Sequence, residues 1–152
     1  MSKIKIALAS DHGGFNLKSK IKDYLQSNGY EISDFGTDST ESCDYPDYAL
    51  PAAEEVASGK CDRGIIVCTT GVGVSIVANK VPGVRCALCQ DEYCAEFTRR
   101  HNNANVLALG GKVVTEEIAL KLVDIFLNTE FEGGKHQRRV EKITAVEKKY
   151  CK

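Results

Sequence analysis

The sequence predicts an α/β fold built on a five-stranded parallel sheet with helices on both faces, and three observations carry that prediction. Short apolar runs that alternate or are β-branched are each followed by a stretch with helical spacing, five times in succession. The alternation proceeds without a repeat, a low-complexity tract or a linker, so residues 1–152 read as one domain. The most β-branched run, Gly64-Ile65-Ile66-Val67, ends in Cys68 and a loop of small residues, as a buried central strand does at its carboxyl end.

In order, Ile4, Ile6 and Leu8 alternate into Ala9-Ser10, a first strand that stops at Asp11-His12-Gly13-Gly14. Leu17, Ile21 and Leu25 recur at helical spacing among lysines from Phe15 to Gln26, and Asn28-Gly29 ends that helix. Tyr30 to Phe35 is the second strand. A polar loop from Gly36 to Tyr45 leads to Pro46, which suits the first turn of a helix ending at Ser58-Gly59. After the Cys68 strand, Val74, Ile76 and Val77 resume a helical pattern. Val84 to Leu88 is the fourth strand, followed by a helix through Tyr93 and Phe97 to Arg100. Asn105 to Leu109 is the fifth strand, with Gly110-Gly111 behind it. Thr115 caps an amphipathic helix carrying Ile118, Leu122, Ile125 and Phe126, and a basic helical segment runs on from about residue 135.

With 43% hydrophobic residues the chain has material for a sizeable core. A net charge of -1 makes no case for a nucleic-acid or membrane-surface protein. No run approaches transmembrane length, and the opening MSKIKIALAS alternates like a strand instead of holding a signal peptide's apolar region. Seven cysteines, an odd number without framework spacing, point to reduced thiols and a cytoplasmic setting. Cys86-x-x-Cys89 lies on a strand, where positions three apart face opposite ways, so the pair is not expected to bind one ion.

The chemistry is expected at the strands' carboxyl ends, near the switch in strand order: Asp11-His12, Cys68 to Gly73, and Gly110 to Lys112. Strand, tight loop and helix start around Cys68 form an anion cradle, and a thiol at its first position lies in the same field, which favours thiolate. The bland alternative is a core cysteine beside packing glycines. Gly71-x-Gly73 is not a dinucleotide fingerprint, because Ile76 fills the last glycine's place. Val74 stands where a thiol phosphatase needs arginine, and no Walker lysine follows. His12, His101 and His136 are the only histidines, and all lie at loop junctions. Any one of them is more often a satisfied surface or core residue than a catalyst.

Six segments together resemble the ribose-5-phosphate isomerase B family, which includes the subunits of galactose-6-phosphate isomerase. They are Ser10-Asp11-His12-Gly13-Gly14, Asp44-Tyr45-Pro46-Asp47, the Cys68 loop, Ala78 to Gly83, His101-Asn102-Asn103-Ala104-Asn105-Val106, and the tail from Phe131 to Ile143. The resemblance implies a Rossmann-like three-layer αβα sandwich, working as a homodimer or homotetramer with active sites shared between subunits, and needing no metal or cofactor. It implies Cys68 as the catalytic base, Thr70 with the loop Thr69, Gly71, Val72 and Gly73 as stabilisers of an enediolate, and His101 as the acid/base that opens the sugar ring. Asp11, His12 and Asn102 become substrate contacts, and Lys112, Lys135 and Arg139 phosphate contacts. Thr69 stands where glycine or serine is usual, and Lys112 and Lys135 where arginine is usual. Lysine keeps the charge but loses the bidentate fork. The expected reaction is ribose 5-phosphate to ribulose 5-phosphate. A six-carbon sugar phosphate is the nearest rival substrate, and a silent sugar-phosphate-binding subunit the rival of another class.

Overall fold

Five parallel strands form one sheet in the order β2-β1-β3-β5-β4 in a computed structural model that describes residues 3–151. Met1, Ser2 and Lys152, which the single-domain and N-terminal strand readings included, lie outside the described residues. The elements are β1 (Lys5–Ser10), α1 (Phe15–Ser27), β2 (Glu31–Asp34), α2 (Pro46–Ala57), β3 (Arg63–Cys68), α3 (Val72–Ala78), β4 (Cys86–Leu88), α4 (Glu92–Asn102), β5 (Val106–Gly110), α5 (Glu116–Asn128) and α6 (Lys135–Tyr150).

Strand alternation sorts the core into two layers. Ile6, Leu8, Ile65, Val67, Leu107 and Leu109 face one side, where Leu17, Ile21 and Leu25 of α1 and Leu122 and Phe126 of α5 cover them. Fully burying side chains such as Leu122 and Phe126 contributes about 1.5–3 kcal/mol each. Ala7, Ala9, Ile66, Cys68 and Ala108 face the other side, against Ala49, Ala52 and Ala53 of α2 and Val74 and Ala78 of α3. Pro46 opens α2 and the Thr115 hydroxyl accepts the Ile118 amide at the start of α5, as read from the sequence. α6 lies against α4 at the sheet's edge.

Three local readings shift. α4 continues through Asn102, so His101 sits in a helix's last turn and not in a loop. β4 spans only Cys86–Leu88. The helix after the Cys68 loop has seven residues. Cys86 and Cys89 do face opposite layers. Burial pushes both thiols up, Cys89 to about 12.

Candidate active site

Three strand-end loops, after β1, β3 and β5, are sewn into one surface. The Asp11 amide donates to the Val67 carbonyl at 3.3 Å, the Gly111 amide to the Cys68 carbonyl at 2.8 Å, and the Lys112 amide to the Thr69 carbonyl at 3.0 Å. The approach is so close that a Cβ on Gly13 would lie 2.1 Å from Thr69 Oγ1. Asp11, His12, Cys68, Thr69, Thr70, Gly71, Val72, Gly73 and Lys112 therefore come together, as the sequence reading expects.

Within this surface Cys68, Thr70, Asp11 and His12 each have a backbone amide as partner. Cys68 pairs with Gly110 at the end of β3, is 5% exposed, and its Sγ accepts the Gly71 amide at 3.1 Å. That bond needs the left-handed backbone of Gly71 (φ 82°), which a side chain would strain. Thr70 Oγ1 accepts the Val72 amide at 3.2 Å, which leaves its own hydrogen free to donate outward. Two of the cradle's amides are thus committed inside the loop. Asp11 Oδ1 accepts the Gly14 amide at 3.1 Å, and His12 Nδ1 accepts the Cys43 amide at 3.2 Å. A neutral imidazole whose Nδ1 accepts carries its hydrogen on Nε2, so His12 presents a donor. The Tyr45 ring stands where a Cβ on Gly73 would lie, 2.7 Å from its nearest carbons.

The other expected residues form a second cluster. His101, Asn102, Lys135 and Arg139 line a cavity of about 470 Å³ with Arg100, Glu132 and His136. The His101 and His136 rings stack at 4.1 Å between centroids and 8° between planes. Glu132 lies 3.4 Å from His136 Nε2 and 4.0 Å from His101 Nε2, and accepts from Arg100 Nε. Burial lowers His136, with the neighbouring His101 adding to it, while Glu132 opposes. The cluster is fixed from below: Arg85 donates to the Asn102 and Asn103 carbonyls, and buried Arg99 donates to the Ala104 and Thr129 carbonyls. Burial brings Arg99 down to about 10.

The two clusters lie at opposite ends of the sheet. Cys68 pairs with Gly110, the last residue of β5, whereas His101 precedes Val106, the first. Four strand steps span roughly 13 Å. Cys68 faces the α2/α3 layer, while Ala95 of α4, the helix carrying His101, packs in the other layer. α4 thus runs antiparallel to the strands and delivers His101 to their amino ends, away from His12 and Cys68.

The sequence assigns no role to Arg100, Glu132 or Tyr45, and His136 reads there as more often a satisfied residue than a catalyst. A Glu132–His136 spacing of four is a helix signal, but Glu132 precedes α6, so only the fold reveals the contact. His101, Glu132 and His136 hold their ligand atoms within 4.8 Å of one another. Parallel stacked rings, however, aim their lone pairs side by side instead of at one point. Arg100, Lys135 and Arg139 suit an anion better than a cation.

Fold and site together describe an α/β enzyme for a small anionic substrate. The chain belongs to the Ribose/Galactose Isomerase family, whose model it matches over residues 6–143. It is 50% identical over 145 residues to ribose-5-phosphate isomerase B of Escherichia coli, covering 95% of this chain and 97% of that one. Ribose-5-phosphate isomerase B of Clostridium thermocellum superposes with a TM-score of 0.96 at 56% identity, covering 97% of this chain and 99% of that one. The Mycoplasma genitalium enzyme with bound ribulose 5-phosphate superposes with a TM-score of 0.92 at 44% identity, covering 95% and 96%.

Proposed function

We propose that this chain is a ribose-5-phosphate isomerase, interconverting ribose 5-phosphate and ribulose 5-phosphate. The observation that carries the reading is its 0.92 TM-score to a relative holding ribulose 5-phosphate, taken with the Cys68 loop at the sheet's switch point. Aldose–ketose exchange moves one proton between adjacent carbons through an enediolate. It needs a single base that reaches both carbons, and donors where charge grows on oxygen.

In this reading the Cys68 sulfur takes the proton from the carbon beside the carbonyl and returns it to the neighbour. The Thr70 hydroxyl, whose oxygen is occupied by the Val72 amide, donates to the enediolate oxygen. Asp11, Thr69, Gly71, Val72 and Gly73 shape the pocket, and His12 and Lys112 meet the substrate from the same surface. His101 protonates and deprotonates the ring oxygen and hydroxyl during opening, with Asn102 beside it. Lys135 and Arg139 hold the phosphate.

Because one chain keeps His101 apart from Cys68, the site is composite: the Cys68 surface of one subunit meets the His101 cavity of a second copy. The assembly is a homodimer, or a homotetramer of such pairs, working as a single-domain enzyme in the cytoplasm. Seven free thiols among the described residues support that compartment, and no described helix is long and apolar enough to cross a membrane. The test is a coupled assay of purified protein, with and without chelator, on ribose, allose and galactose phosphates. Turnover of ribose 5-phosphate at the highest kcat/KM, unchanged by chelation, is the expected result. A higher kcat/KM on a six-carbon phosphate, or activity that returns only with a divalent ion, would overturn it.

A further inference from the structure

Lys18 is a buried lysine, and nothing in the chemistry above uses it. Lysine is almost never buried without a specific partner. Here the ammonium donates to Asp34 Oδ1 at 2.7 Å and to the Thr37 carbonyl at 2.8 Å, inside a side chain only 2% exposed. The neighbouring amide of Gly36 donates to the same Asp34 Oδ1 at 2.9 Å. Lys18 and Asp34 thus brace one two-residue stretch, Gly36 and Thr37.

That stretch is also clasped to the end of β1. The Ser10 amide donates to the Gly36 carbonyl, and the Thr37 amide returns a bond to the Ser10 carbonyl, both at 2.7 Å. On the other side of the turn, the Lys18 amide donates to the Gly14 carbonyl at 2.9 Å. Residues 11–14 therefore have both ends tied to the same anchor: Ser10 by its backbone, and the first turn of α1 by the Lys18 ammonium. The residues inside this closed ring are Asp11 and His12. The segment leaving Thr37 ends at Cys43, whose amide sets the His12 tautomer.

We infer that Lys18 is a positioning residue for the reaction, holding Asp11 and His12 in place through Gly36 and Thr37. The inference rests on the proposed role of His12 as a substrate contact. A purely stabilising role makes a different forecast. Removing one member of a buried ion pair lowers stability without changing the affinity of molecules that do fold. Asp34 is 18% exposed and keeps Lys22 at 3.1 Å, so it is not stranded when Lys18 is lost.

The experiment compares Lys18→Met and Asp34→Asn with the parent protein in steady-state kinetics on ribose 5-phosphate and in side-chain nitrogen NMR of His12, assigned by loss of its signals in His12→Gln. Lys18→Met is expected to raise KM about 5- to 20-fold with kcat changed less than about three-fold. The His12 nitrogens should move from a single Nε2–H pattern toward an averaged one. Asp34→Asn should move both readings the same way by less, and decides the matter alone if Lys18→Met fails to fold. Parent-like KM and His12 nitrogens in the folded variants would overturn the inference. Shifted nitrogens with a parent-like KM would uphold the positioning role and overturn His12 as a substrate contact instead.

Discussion

Cys68 reaches its post through strand register: sharing the face of Ile66, it points into the α2/α3 layer at the last rung of β3, where the Gly71 amide meets the sulfur. With Cys68 as the proposed base, Cys68→Ala should lower kcat by about 10²–10⁴-fold while substrate still binds, because in that reading the base acts on carbon and the phosphate is held elsewhere. Isothermal titration with ribose 5-phosphate beside turnover assays checks both halves. Near-normal turnover would show that another group is the base. Lys135→Ala and Arg139→Ala should instead raise KM, roughly 10- to 100-fold, with kcat little changed, since such contacts hold ground and transition states alike. A fall in kcat alone would contradict the phosphate assignment. At this scale the strand-end residues were legible because a small-residue loop after a buried strand is a local pattern. His136 was visible but not readable, because its partners, Glu132 and the His101 ring, are set by how α6 docks on α4.

Among the elements, the β1–α1–β2 unit carries a charge that can be tested by pH. Burial alone would raise the Asp34 carboxyl, but hydrogen bonds from Lys18, the Gly36 amide and Lys22 outweigh it and hold the group below its usual 3.8. Its native form therefore gives up the proton more readily than the unfolded chain does. The stability this contributes is complete above about pH 4 and is lost as pH falls through the lower native value. Urea midpoints of the parent and Asp34→Asn should differ at neutral pH and converge as the solution is acidified below about pH 4. A gap that stays constant across that range would show that the carboxylate contributes nothing through its charge. The helices and strands themselves were legible from period and punctuation. The end of α4 was not: Asn102-Asn103-Ala104-Asn105 looks like loop, yet Asn103 caps the helix at φ 47°, its side chain held by Arg99 of the same helix and its carbonyl by Arg85 from the β4 side of the fold.

For the whole molecule, the parallel sheet and its two layers follow from alternation alone, whereas the proposed pairing of two copies is written in no single periodicity. What points to assembly is the distance between two incomplete halves: a thiol with its cradle at one end of the sheet, and an imidazole pair with its cations at the other. Exposed Ile143, Val146 and Tyr150 on α6 leave apolar surface beside the second half. The most direct test is subunit complementation. Cys68→Ala and His101→Ala proteins, each nearly inactive, are mixed under conditions where exchange is followed by mass. Random pairing of dimers would give half mixed dimers, each with one intact site of two, so activity should rise to about one quarter of the parent value. No recovery despite demonstrated exchange would mean that each subunit carries a self-contained site, and the composite account would fall.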